Sequence, residues 1–237
     1  MSDAGIVTES VDVPSNLATV KAHIADACRA ASRPPEDVTL VAITKVHGID
    51  RIRPAIVAGH RTFGENRVQE AEGKWPALRD DFSDLTLHLV GPLQSNKVHR
   101  AVELFDVIET IDRQRIADRV AREIKAQDKA MECFVQVNTG EEPQKAGIPP
   151  AETEKFVHYC RDELALPVVG LMCIPPVDDE PSLHFSLLRE LAGSTGLAKL
   201  SMGMSADYEV AVACGATHVR VGTAIFGHRP SYTGPTD

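Results

Sequence analysis

The sequence predicts an α/β fold made of one (β/α)8 TIM barrel, with parallel strands and an extra helix ahead of the first strand. Three observations lead there. Eight short β-branched runs alternate with longer amphipathic runs, and strands separated by helices are parallel strands joined by crossovers. The chain has 237 residues, close to the size of one such barrel. No glycine-rich fingerprint follows the first strand, which turns the reading away from the open doubly wound sheet, the rival with the same alternation. No break in composition marks a linker. The expected division is a flexible N-terminal tail at 1–14, a barrel domain at 15–227 and a C-terminal tail at 228–237.

The elements follow in order. A helix is expected over 15–32, with Ser15 as its N-cap and Arg33-Pro34-Pro35 as its stop. The strands are expected at 38–44, 61–64, 85–90, 106–109, 132–138, 168–172, 199–202 and 218–221. Between them, helical patterns occupy 49–58, 67–78, 97–104, 113–126, 151–164, 182–192 and 206–213. The longest loop is expected at 139–150.

Composition narrows the function. Hydrophobic residues make up 43% and charged residues 25% of the chain, which is ordinary for a globular protein. A formal net charge of −9 argues against a nucleic-acid or acidic-membrane partner, either of which needs a basic face. It leaves room for a local basic pocket that takes one small anion. The five cysteines are odd in number and contain no C-x-x-C pair, so they read as reduced, packed thiols of a cytoplasmic protein. The first residues do not read as a signal peptide, and no apolar run reaches membrane-spanning length. The nine histidines show no metal-binding spacing, and no metal site is expected.

Three features carry chemistry. Lys45 directly follows the first strand and shares its parity with Val41 and Ile43. It therefore points into the mouth, where barrel active sites lie. It reads either as a Schiff-base lysine or as a rim lysine paired with an acid. Arg220 lies between Val219 and Val221 in the eighth strand. If the two valines face the outer helices, the guanidinium faces the interior and needs an acceptor there. That acceptor is either a ligand or a carboxylate from another strand, such as Glu109. The loops after strands seven and eight, Ser201-Met202-Gly203-Met204-Ser205 and Gly222-Thr223-Ala224-Ile225-Phe226-Gly227, form the third feature. Small residues on two adjacent strands suit an anion such as phosphate, with Ser205 capping the next helix; alternatively they only make tight turns. Asn66, Ser95 and Asn138 add polar groups at other strand ends, where each also reads as a helix cap or a turn, Asn66 and Ser95 as N-caps. His88, inside the third strand, reads as a hydrogen-bonded core histidine.

Together these segments resemble the PLP homeostasis protein family (YggS/PROSC, pyridoxal phosphate-binding proteins), which is related to the N-terminal barrel of alanine racemase. The similarity runs from Val38 to Gly227. It is carried by Val41-Ala42-Ile43-Thr44-Lys45, by Phe63-Gly64-Glu65-Asn66-Arg67-Val68-Gln69-Glu70 and by His88-Leu89-Val90-Gly91-Pro92-Leu93-Gln94-Ser95-Asn96-Lys97. Further on it includes Gln136-Val137-Asn138, Gly170-Leu171-Met172 and the two loops quoted above. One departure is Val46-His47-Gly48-Ile49, where family members often carry Thr or Phe and a Pro.

The resemblance implies a barrel that binds pyridoxal 5′-phosphate (PLP), held covalently as a Schiff base on Lys45. It implies Arg220 at the pyridine nitrogen and Asn66 beside the ring. It implies the phosphate among Ser201, Ser205, Gly222 and Thr223, with Met202 and Met204 lining that loop. An arginine at the pyridine nitrogen disfavours its protonation and weakens the ring as an electron sink. Racemisation needs acid–base groups on both faces of the α-carbon, which alanine racemase completes from a second domain. The sequence as given ends ten residues after Gly227, and no such domain is expected; Tyr208 is the one tyrosine expected near the mouth. The expected function is thus PLP homeostasis as a carrier and regulator rather than an enzyme. The expected partners are PLP and PLP-dependent apoenzymes, without nucleic acid or membrane, and the expected state is a monomer. Two alternatives stand beside it: a single-domain amino-acid racemase, and an interaction scaffold with PLP as a structural ligand.

Overall fold

The computed structural model describes residues 11–227. Residues 1–10 of the expected N-terminal tail, and the whole expected C-terminal tail, lie outside the described residues. Eight strands form a closed barrel in chain order: β1 (Thr39–Ile43), β2 (Thr62–Glu65), β3 (Thr86–Leu89), β4 (Val107–Ile111), β5 (Glu132–Val137), β6 (Val168–Cys173), β7 (Lys199–Ser201) and β8 (His218–Val221). All neighbours pair in parallel, and β8 closes on β1 with Thr39 opposite His218 and Val41 opposite Arg220. The expected strands recur with ends shifted by a residue or two. β4 runs further because an irregularity between Ile108 and Ile111 lets it continue, with all five of its residues buried.

The outer layer consists of α1 (Val13–Ala30), α2 (Ile49–Val57), α3 (Val68–Glu72), α4 (Trp75–Asp81), α5 (Val98–Leu104), α6 (Gln114–Gln127), α7 (Thr153–His158), α8 (Pro181–Ser194), α9 (Tyr208–Ala213) and α10 (Thr223–Phe226). Helix α1 starts two residues before the expected Ser15. Its cap is Asp12, whose carboxylate accepts the Ser15 N–H at 3.0 Å, with Pro14 in the first turn. Val13, Leu17, Val20, Ile24 and Cys28 give it one buried stripe. It packs on α9, α10 and α2. Because α10 is a single turn, α1 stands where the eighth outer helix of the barrel would. The helix expected over 67–78 breaks at Gly73-Lys74 into α3 and α4, and α7 ends in a π turn, Tyr159–Glu163.

Alternation within the strands sorts the side chains. On β8, Val219 and Val221 join the main core between strands and helices, while Arg220 turns inward. Inside the barrel, Val41, Ile43 and Val90 form one apolar cluster and Val107, Phe134 and Met172 another. His88, Glu109, Ser201 and Arg220 are buried polar residues of the same interior. No helix among the described residues is long and apolar enough to cross a membrane.

Candidate functional site

The chain leaves β1 through a four-residue turn, Thr44-Lys45-Val46-His47, closed by the His47 N–H donating to the Thr44 carbonyl at 3.1 Å. Val46 sits in it at φ 63°, a conformation that a β-branched residue adopts only under strain. Neighbouring charges hold it there. The Val46 N–H donates to the Glu70 carboxylate. Lys74, in the break between α3 and α4, donates to the Thr44 and His47 carbonyls at 3.1 Å each. The same ammonium lies 2.6 Å from Glu65 Oε1 and 3.0 Å from Glu70 Oε1. Glu65 is fully buried; burial pushes its carboxyl above the usual range, against the pull of Lys74. A buried cation thus anchors the turn that presents Lys45.

Arg220 is 4% exposed and held by several partners. It donates to Ser201 Oγ at 2.7 Å and to the Cys173 carbonyl at 2.8 Å, and lies 4.0 Å from Glu109 Oε2. Glu109 also accepts from Ser201 Oγ at 2.6 Å and from His88 Nδ1 at 2.7 Å. Burial alone would raise its pKa, but His88, Arg220 and the Ser201 hydroxyl outweigh it and hold Glu109 down to about 2. His88 is therefore the hydrogen-bonded core histidine the sequence suggests. The carboxylate partner expected for Arg220 is there too, although Arg220 also reaches the cavity.

That cavity, about 370 Å³, opens at the C-terminal end of the barrel and falls in the size range of small-molecule sites. Lys45, Asn66, Met204, Ser205, Arg220, Gly222 and Thr223 line it together. Ser201 and Met202 are not on its wall: Ser201 bridges Glu109 and Arg220, and Met202 is buried in the main core. Ser205 does not cap α9, whose cap position is Asp207; its hydroxyl instead accepts the Gly222 N–H at 3.4 Å and ties the last two loops together. Asn66 is not a cap either, since Arg67 holds that position of α3. A Cβ on Gly91 would meet the Asn66 carbonyl oxygen at 2.2 Å, so the close approach of these two loop backbones requires glycine at 91.

One expectation at the rim is corrected. Tyr208 does not face the mouth; it is 5% exposed and its hydroxyl meets His23 Nδ1 of α1 at 3.1 Å. The face that α9 buries carries Tyr208, Ala211 and Val212 together, and α1 covers it. Asn138 is spent on its own loop, donating to the Glu142 carbonyl at 2.9 Å. Sequence reasoning missed His47, Val90 and Ile174 in the cavity wall and Lys74 behind it. His47 had one available signal, its place two residues after Lys45; Lys74 had none. Cys28, Cys133, Cys160 and Cys173 are buried, and burial pushes the thiols of Cys160 and Cys173 up to about 12.

Residues 15–230 match the family model described as alanine racemase, N-terminal domain. The chain is 39% identical over 227 residues to the pyridoxal phosphate homeostasis protein of Escherichia coli (strain K12), covering 92% of this chain and 97% of that protein. PipY of Synechococcus elongatus PCC7942, solved with PLP bound, is 37% identical with a TM-score of 0.77, covering 91% of this chain and 100% of that one. Alanine racemase from Bartonella henselae, solved with covalently bound pyridoxal phosphate, is 16% identical with a TM-score of 0.70, covering 95% of this chain and 62% of that one. That last likeness is one of fold.

Proposed function

The chain belongs to the pyridoxal phosphate homeostasis protein family, built on the barrel of the alanine racemase N-terminal domain, and from that premise we propose that it captures PLP as a Schiff base on Lys45 and acts as a carrier and regulator of that cofactor. One observation carries the proposal: Lys45, Arg220, Ser205 and Thr223 share the wall of a single cavity at the barrel mouth. The residues present fit the group. An amine suits its aldehyde, a buried guanidinium its ring nitrogen, and two hydroxyls beside a glycine backbone its phosphate. When bound, PLP supplies an aldehyde that exchanges between amines.

The residues around it favour holding over turnover. Arg220 cannot release its proton and opposes a second positive charge on the pyridine nitrogen. Ser201, Glu109 and the Cys173 carbonyl fix its guanidinium. Lys74 and Glu70 fix the turn that presents Lys45, and Asn66, Val90 and Ile174 shape the rest of the wall. Membership of the family supports a regulatory, non-enzymatic role.

The test is direct. Purified protein should be yellow, and borohydride should fix one PLP to the peptide that contains Lys45. Lys45→Ala should abolish both colour and fixation, and the wild type should hand PLP to an apoenzyme faster than free diffusion of an equal PLP pool does. Stoichiometric fixation in Lys45→Ala overturns the site. Racemisation of any amino acid that vanishes in Lys45→Ala overturns the carrier reading in favour of an enzyme.

A further inference from the structure

His47 is the second residue after Lys45, and the structure puts it to a use that neither the turn nor the core explains. Its backbone is fixed on both sides, with the N–H given to Thr44 and the carbonyl to Lys74. Its side chain is 9% exposed and forms part of the cavity wall with Lys45, Ser205 and Thr223. The ring rests on Phe226 of α10, with centroids 5.4 Å apart and planes at 36°. That contact pins it to the element that begins with Thr223. Among the described residues, neither ring nitrogen has a hydrogen-bond partner. The fully buried side-chain atoms without a partner in this described set are those of Glu65, Thr139 and Glu142, so the His47 nitrogens keep access to the cavity their residue lines and are available to a ligand there. The same cavity wall carries the Ser205 and Thr223 hydroxyls.

We propose that His47 is a further cofactor-binding residue, whose ring donates a hydrogen bond to the phosphate group of the bound ligand. The inference rests on the PLP reading for the identity of the phosphate, and on the geometry of His47 alone for the donor. It also gives capture a pH dependence. In the free protein burial lowers the pKa of the imidazole, with Arg51 of α2 and Lys74 acting in the same direction and Glu70 of α3 against it. Lys45 shares the turn and the cavity, and α10 carries no ionisable side chain. An arriving phosphate dianion reverses that balance and favours the imidazolium. Affinity from this contact is therefore greatest at low pH and declines as pH rises through the His47 pKa of the complex.

The experiment compares PLP, pyridoxal and pyridoxamine 5′-phosphate on wild type, His47→Phe and His47→Gln, by equilibrium dialysis between pH 6 and 8. His47→Phe keeps the ring on Phe226 and removes the donor; His47→Gln keeps a donor. Loss of a charge-assisted hydrogen bond predicts about tenfold or more weaker PLP and pyridoxamine 5′-phosphate binding by His47→Phe. Pyridoxal should change less than about twofold, His47→Gln should recover part of the loss, and the excess tightening of the wild type toward pH 6 should disappear in His47→Phe. The second ionisation of the phosphate, common to all three proteins, cancels in that comparison. Equal weakening of PLP and pyridoxal, or no weakening, overturns the proposal. Pyridoxamine 5′-phosphate has no aldehyde, so its result stands whatever Lys45 does; failure of borohydride fixation in the wild type sinks the Lys45 reading separately.

Discussion

Lys74→Met removes the ammonium that ties α3 and α4 to the turn bearing Lys45, without touching the cavity wall. Lys74 is 9% exposed, pairs with the fully buried Glu65 at 2.6 Å and the partly buried Glu70 at 3.0 Å, and satisfies two turn carbonyls. Breaking a buried pair by deleting one partner costs about 3–5 kcal/mol, because the other charge stays behind unpaired. Glu65 has one escape, which is to take up a proton. Burial already raises its pKa, Lys74 opposes that shift, and its Oε2 has no partner in the described protein. Thr44 Oγ1 and Trp75 Nε1 still reach Oε1 at 2.6 and 3.2 Å. The expected loss at pH 7.5 is therefore at the lower end, about 3 kcal/mol, or roughly 6–12 °C in Tm for a chain of this size.

A folded-state pKa raised above the unfolded value gives stability that is complete below the unfolded pKa and is lost as pH rises through the folded one. In Lys74→Met the Glu65 pKa rises further, so the deficit against wild type should shrink between pH 7.5 and pH 5. Urea unfolding of the cofactor-free protein at both values measures it, and Lys74→Met/Glu65→Gln should recover more than half of the loss. A deficit below about 1 kcal/mol at both pH values, or a larger deficit at pH 5, would refute the reasoning.

Two further changes probe the interior and the rim. Glu109 is held down to about 2 in the folded protein, so its contribution, about 3 kcal/mol, is present above pH 4.5 and is lost as pH falls toward 2. Glu109→Gln should lower stability at neutral pH by about that amount and flatten the acid limb of a pH-dependent urea series; an unchanged acid limb excludes Glu109 as its source. Gly91→Ala forces a methyl against the Asn66 backbone, where nothing can yield, and should cost about 2 kcal/mol and weaken PLP capture. Gly193→Ala, with nothing within 4 Å, is the control; equal melting temperatures for the two variants count against the close approach.

Much of the fold was legible because a parallel barrel writes its period into the chain. Each strand run is short and β-branched, each helix run amphipathic, and the two alternate eight times. The same parity argument turned Lys45 toward the mouth and Arg220 toward the axis, where its flanking valines left it no other face. Helix ends were less legible. Within 67–78, Gly73 and Pro76 are breaker residues, but the sequence alone does not show that Lys74 stabilises the break by reaching Glu65 and Thr44 in other elements.

By itself, then, the sequence determined the barrel, the lysine at the end of its first strand, the inward arginine of its last, and the pair of small-residue loops beside them. Those features follow from local periodicity and from backbone parity, which need no knowledge of neighbours. Only the tertiary structure decided that Ser201 serves Arg220 and Glu109 rather than the cavity, that Tyr208 packs under α1, that Lys74 anchors the Lys45 turn, and that His47 of that turn rests on Phe226. Each of those is a contact between residues far apart in the chain or on different elements. Its existence depends on distances of a few ångströms that appear only once the barrel has closed.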